Sequence, residues 1–288
     1  MLEKFESYLL TERRMSLHTV EAYVADLNHF LSFSQIQTLT EIHEVNYQNI
    51  RSWMVALIES GLTNRSVNRK LSSLRTFFKW CRKFEYITVD PMLRIKGPKQ
   101  EKRLPEFVKQ EELDGVAHKL SFTDDVFGQR DYLMLELFYQ TGIRLSELIS
   151  IRTNDIADHS IKVLGKRNKE RIIPISVNLY EALRAFSLQK QQQFPGLDYM
   201  FFTDKGRKLY PKFVYRKINN YLSELTSLDK TSPHVLRHTF ATHMLNAGAG
   251  LETLKELLGH ANLSATQIYT HNSFEEINKI YKQAHPRG

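Results

Sequence analysis

The chain of 288 residues has one cysteine, Cys81. No intramolecular disulfide can form, and a reducing compartment is the default setting. Cys81 sits in FFKWCRKF beside Phe78 and Trp80, where it reads as a core residue. No apolar run reaches membrane-spanning length, and the opening MLEKFESYLLTERR lacks the apolar stretch of a signal peptide. The chain therefore reads as soluble and cytoplasmic. Internal repeats and low-complexity tracts are missing. So are a Walker A loop and G-x-G-x-x-G, which leaves nucleotide hydrolysis without a phosphate cradle. HExxH is absent, and no G-x-S-x-G elbow marks a serine hydrolase.

What is present is a normal globular composition, 42% hydrophobic and 25% charged, with a formal net charge of +8. Such a balance favours an anionic partner, a nucleic acid or a membrane surface. The charge is concentrated. Residues 61–103 hold twelve Lys or Arg against Glu85, Asp90 and Glu101, a net +9, so the rest of the chain is close to neutral. A basic segment in a near-neutral chain is what binding to a phosphate backbone requires.

From the N-terminus to about Leu93 the apolar spacing is helical. Four helices are expected, the second capped by Ser16 or Thr19, the third stopped by Gly61. In the fourth, Val67, Leu71, Leu74 and Phe78 form a stripe, and Arg65, Arg69, Arg75, Lys79 and Arg82 lie largely off it as candidate DNA-backbone contacts. The stretch IKGPKQEKRLP has linker chemistry. Residues 1–95 are thus expected to form one helical DNA-binding domain, 96–104 a linker and 105–288 a second domain. This second part begins with a buried-type helix and a break at Thr141-Gly142. HSIKVLGKRNKERIIPIS then switches to a period of two, giving a β-hairpin with GKRNKE at its tip. The remainder returns to helices.

SPHVLRHTFATHML, residues 232–245, puts His234, Arg237, His238 and His243 on one helix. A solvated face, a metal site and an anion pocket are the three readings. His234 and His238 have i, i+4 spacing, but no acidic or thiolate ligand is near, and Arg237 would aim a cation into the site. An anion pocket accounts for more of the sequence. Arg144 and Arg237 can fork onto the oxygens of one phosphate, with imidazoles completing the set. Tyr269 would be the nucleophile and Lys166, on the hairpin, a proton donor.

TGIRLSEL, GKRNKER, HVLRHTFAT and LLGHANLSATQIYTH resemble the signature blocks of the tyrosine recombinase (phage-integrase-like) family. The length, lead-in helices and AHPRG ending look most like its Xer subgroup. The resemblance covers nearly the whole chain. It implies a mainly α protein: an N-terminal helical-bundle (SAM-like) core-binding domain and an α+β catalytic domain with a small sheet, clamping duplex DNA. It assigns Arg144 and Arg237 to the phosphate clamp, Lys166 to the general acid, His234 and His260 to proton exchange or hydrogen bonding, and Tyr269 to the nucleophile. His238 and His243 are left as packing or capping residues, and Lys169 and Arg171 as backbone contacts or solvated side chains. The implied reaction passes through a 3′-phosphotyrosine and a Holliday junction, without metal, ATP or other cofactor. Its implied partners are duplex DNA sites, a homo-tetramer or a hetero-tetramer with a paralogous recombinase, and a DNA-translocase accessory factor. Chromosome-dimer resolution is the expected role. Integration of a mobile element by the same chemistry is the alternative, and a non-catalytic helical DNA-binding protein a more distant one. The resemblance also implies that the terminal helix, with its stripe of Phe274, Ile277, Ile280 and Tyr281, passes to a neighbouring subunit.

Overall fold

A computed structural model describes residues 2–38, 40–100, 106–165, 170–259 and 271–288, the side chains of 271–276 excepted. The chain divides into two compact units, Met1–Arg103 and Leu104–Gly288.

In the first unit, helices α1 (Leu2–Thr11), α2 (Leu17–Phe33), α3 (Tyr47–Glu59) and α4 (Asn64–Lys83) follow one another through short connections. Their starts are set by side-chain caps. Ser16, Asn46 and Thr63 each accept from a first-turn amide, satisfying donors that a helix leaves unpaired. Phe5, Phe30, Trp53, Phe77 and Phe78 fill the core. Helix α4 buries the expected stripe together with Phe77, Trp80 and Cys81. Arg65, Arg69, Lys79 and Arg82 are exposed, and Arg75 is half-buried.

Two details of α4 were not visible in the sequence. Asp26 of α2, 2% exposed, takes both ends of the Arg69 fork (2.6 and 2.8 Å), the Lys70 ammonium (2.9 Å) and the Ser73 hydroxyl (2.8 Å). Burial alone would raise this carboxyl, but the bonds from Arg69, Lys70 and Ser73 outweigh it and hold it below the usual range. The start of the expected linker is also not free. Arg75, Asn64 and Asn68 donate to the main-chain oxygens of Ile95, Lys99 and Pro98, tying residues 95–99 to α4. Gly97 allows this approach, because a Cβ there would fall 1.9 Å from Asn68 Oδ1.

The second unit opens with two one-turn helices, α5 (Gln110–Leu113) and α6 (Val116–Lys119), then α7 (Val126–Thr141) and α8 (Leu145–Ser150). Strands β1 (Ile156–Ala157), β2 (Ser160–Leu164) and β3 (Glu170–Pro174) form an antiparallel sheet in the order β1-β2-β3. The hairpin is as expected, with β1 as an added edge. Helices α9 (Val177–Gln193), α10 (Pro211–Leu225), α11 (Pro233–Asn246), α12 (Leu251–Leu258) and α13 (His271–Ala284) complete the unit. Helix α7 runs through the centre and is buried over nearly its whole surface. On β2 and β3, Ile161 faces Ile173 and Val163 faces Arg171, and all four are buried.

The sequence expects helix α13 on a neighbouring subunit, and the single chain shows its docking in the monomer. Within the single chain it packs on α11, α12 and β3 of its own unit, burying Ile277, Tyr281 and Ala284. The tail beyond it continues the docking. His285 stacks on the Tyr281 ring, and Arg287 pairs with Glu136 and donates to the Leu113 oxygen. The stripe needs a partner surface, and the one within reach is its own core.

Candidate active site

The site is built around a chain reversal at Gly142. Its amide closes α7 on the Phe138 oxygen, and its φ of 58° is left-handed. A Cβ there would lie 2.6 Å from Phe240 Cδ1, so glycine is required on two counts. The reversal places Arg144 at the N-cap of α8 and Glu147 at its third helical position. Glu147 Oε2 accepts the Arg144 amide (2.8 Å) and Oε1 accepts Arg144 Nη1 (2.8 Å). A carboxylate in the first turn of a helix is also favoured by the helix dipole.

Arg237 reaches the same place from α11. Its Nη1 donates to the Gly142 oxygen (2.5 Å) and its Nη2 to the Leu258 oxygen (2.6 Å). Arg144 Nη2 donates to the Gly259 oxygen (2.8 Å), and Arg171 Nε to the Leu257 oxygen (3.0 Å). Three consecutive carbonyls at the end of α12 thus each hold one arginine. These oxygens have no intrahelical partner and carry the negative end of the helix dipole, so cations are their natural complement.

The electrostatics are unbalanced toward an anion. Among the described residues, Arg144 and Arg171 pair with the Glu147 carboxylate and Arg237 stands near them on main-chain oxygens, three guanidiniums against one carboxylate. Burial, then the nearby charges of Arg144 and Arg171, pull Arg237 down to about 10, with Glu147 opposing. Burial alone would raise the Glu147 carboxyl, but bonds and charge from Arg171, then Arg144, hold it below the usual range. At neutral pH Glu147 and Arg237 are both charged.

The structure brings Arg144 and Arg237 together as the sequence proposed. His234 is exposed in the first turn of α11, three residues before Arg237 and therefore on the same helix face. His238 is half-buried. His243 is a packing residue, its Nδ1 3.2 Å from the Tyr139 hydroxyl and its ring edge-on to Phe107, with burial lowering its pKa. Lys166, Lys169, His260 and Tyr269 lie outside the described residues. Among the described residues no group of three His, Cys, Asp or Glu is placed to hold a metal.

Arg171 requires a correction. The sequence reading made it a DNA-backbone contact or a solvated side chain, yet it is 5% exposed and forks onto Glu147 at 2.7 and 2.9 Å. Its neighbours in GKRNKER are charged, but β3 turns it inward. The signal lies in the parity of residues 171, 173 and 175: on a strand of period two, Arg171 shares one face with the apolar Ile173 and Ile175. Glu147 was overlooked. An acid at the third position of a helix capped by an arginine is the feature that would have found it.

The chain matches two family models. The phage integrase family covers residues 106–276, and the phage integrase N-terminal SAM-like domain covers 2–83. It is 35% identical to tyrosine recombinase XerC of Bacillus pumilus (strain SAFR-032), over 100% of this chain and 97% of that protein. Against tyrosine recombinase XerC of Bacillus subtilis (strain 168), identity is 37% over 99% of this chain and 95% of that one. Among solved structures, the XerH recombinase on a palindromic difH substrate, in a post-cleavage complex, gives a TM-score of 0.71 at 21% identity, covering 97% of this chain and 83% of that one. The Tn1549 transposon integrase in complex with circular intermediate DNA gives 0.68 at 18%, covering 96% and 98%. With both units matched and full-length relatives above a third identical, the chain belongs to the phage integrase family of tyrosine recombinases.

Proposed function

We propose that this chain cuts and rejoins duplex DNA at specific sites by Xer-type recombination, with Arg144 and Arg237 as the clamp on the scissile phosphate. The observation that carries this is the convergence of Arg144, Arg171 and Arg237 on three consecutive carbonyls at the end of α12, with Glu147 paired to the first two. Anchoring on Glu147, Gly142, Leu258 and Gly259 uses two of the five N–H donors of Arg144 and two of those of Arg237. The remaining donors can take the non-bridging oxygens, whose charge grows in the pentacoordinate transition state. Anchoring on main-chain oxygens fixes both guanidiniums before substrate arrives, so little reorganisation accompanies the reaction.

In this reading the Tyr269 oxygen attacks phosphorus, and the bond to the 5′ oxygen breaks. The leaving oxygen takes a proton from Lys166 and departs as a 5′-hydroxyl. His234 and His260 hydrogen-bond the phosphate or accept the tyrosine proton. The 3′-phosphotyrosine keeps the phosphoester energy, and a 5′-hydroxyl from the partner strand reverses the step. Exposed Arg65, Lys79 and Arg82 of α4 supply sequence-independent phosphate contacts, and Arg69 adds one despite its pairing with Asp26.

The XerC names of the full-length relatives favour chromosome-dimer resolution over integration of a mobile element. A tetramer on two sites follows from strand exchange in pairs, either of one chain or with a paralogous recombinase, aided by a DNA translocase. The cytoplasm is the matching location, and no described helix is long and apolar enough to cross a membrane. The test uses a nicked duplex that traps the covalent intermediate. The wild-type chain should form a protein–DNA adduct, while Tyr269→Phe should bind the duplex equally and form none. An adduct in the Tyr269→Phe variant would refute the assignment.

A further inference from the structure

An arginine buried to 5% exposure is expensive to desolvate unless its donors are matched. Arg171 is matched by two separate parts of the chain. Nη1 and Nη2 take both oxygens of Glu147 on α8, and Nε takes the Leu257 oxygen at the end of α12. Its guanidinium also lies against Gly259, where a Cβ would come within 3.1 Å of Nη1. The two oxygens it holds are those that receive the amide and Nη1 of Arg144. The carbonyls following Leu257 are those that hold Arg237 and Arg144. In sequence, Arg171 comes five residues after Lys166, and Gly259 directly precedes His260.

We propose that Arg171 is a positioning residue for strand cleavage: it locks Glu147 and the last turn of α12 to β3, and so sets Arg144 and Arg237 at the spacing one phosphate needs. This rests on the phosphate-clamp reading above. Arg171 acts through Glu147 and the Leu257 carbonyl rather than on the phosphate itself. Lysine does not replace it, because the guanidinium presents two parallel N–H groups to the carboxylate and a third on Nε to the Leu257 oxygen, whereas an ammonium is a single point with tetrahedral donors. Without the fork, the vacated Glu147 oxygens compete with the phosphate for Arg144.

Among the described residues, the charged groups facing Glu147 are Arg144 on its own helix, Arg171 from β3 and Arg237 from α11. Losing the Arg171 fork makes this carboxylate easier to protonate, and protonation releases the anchor of Arg144. Cleavage by an Arg171 variant should therefore fail on the acid side at a higher pH than the wild type. A role confined to holding the fold would lower stability without moving that limb.

The experiment measures covalent-complex formation on the nicked duplex from pH 5 to 9, beside half-site binding and thermal melting, for wild type and Arg171→Lys. The expected result is near-normal half-site binding, cleavage slower by on the order of 100-fold, and an acid limb displaced upward. Wild-type cleavage in Arg171→Lys, or slower cleavage with an unmoved pH profile, overturns the proposal. If Arg171→Lys does not fold, Glu147→Gln carries the test. It should bind a half-site, cleave slowly and lack the acid limb, and retention of wild-type rate and profile overturns the proposal equally. A wild-type chain that forms no adduct at any pH refutes the clamp reading instead.

Discussion

Replacing Asp26 by Asn separates what stabilises the first unit from what binds DNA. Asp26 is 2% exposed and its carboxylate takes four hydrogen bonds. Removing one partner of a buried pair costs about 3–5 kcal/mol when the remaining charge stays buried. Here the remaining charges differ. The Arg69 side chain is 49% exposed and can rehydrate, so its share falls to the roughly 0–1 kcal/mol of a surface pair. Lys70 is 16% exposed and faces an amide that still has one acceptor oxygen but adds donors of its own. The net loss is therefore about 2–3 kcal/mol. Hydrogen exchange of the α2 and α4 amides in the full chain should accelerate by roughly 30–150-fold. The pH dependence has a definite sign. A carboxyl held below its ordinary value stabilises the fold above about pH 4, and that stability is lost as pH falls through the folded value. The variant should lose this acid-side fall. DNA binding should move the other way, because removing the carboxylate leaves Arg69 and Lys70 uncompensated. Affinity should hold or rise, and the salt dependence should steepen by up to about 0.9 in slope. Unchanged exchange protection in α2 and α4 would refute the energetic reasoning.

Arg237→Ala should slow adduct formation by roughly 100-fold or more while weakening duplex binding far less, read by parallel cleavage and gel-shift assays. Equal losses would reduce Arg237 to a backbone contact. Lys79→Ala, on the exposed face of α4, should weaken binding to any duplex and flatten its salt slope by up to about 0.9; an unchanged slope would make that face merely solvated. Truncation after Asn272 removes the buried Ile277 and Tyr281, which should cost the monomer about 3 kcal/mol or more, some 10 °C in melting temperature for a unit of this size. A truncated monomer with wild-type melting would show that α13 adds nothing to its own unit and favour its place on a neighbouring subunit.

The parts legible in the sequence are those set by local spacing. The α4 stripe, the hairpin strands, the Ser16 cap and the break at Gly142 each depend on residues within one or two turns. Arg144 and Arg237 were legible because residue type and motif spacing identified them together. The fate of Arg171 was not, since its partners lie 24 and 86 residues away and its local setting is uniformly charged. Asp26 is similar, its partners being 43 to 47 residues distant. Long-range ion pairing leaves no periodic trace, and a basic stripe looks the same whether or not a buried carboxylate compensates part of it. The monomer docking of α13 was not legible for a different reason: an apolar stripe records that something must cover it, not which surface does.

The three carbonyls that hold the arginines belong to the main chain, which every amino acid shares. A saturation mutagenesis survey would therefore score Leu257 and Leu258 for their packing, and Gly259 for its left-handed φ of 62°. None of those scores would register the oxygen that does the holding. Sequence drift at Leu257 and Leu258 is correspondingly constrained by their burial and not by the oxygens they carry, so long as the helix ends at the same residue. Shortening or extending α12 by one residue would misalign all three arginines at once, as would no single side-chain exchange there. Replacing the amides that follow these carbonyls with esters, which makes each oxygen a poorer acceptor without altering any side chain, is the chemical edit that would expose the dependence.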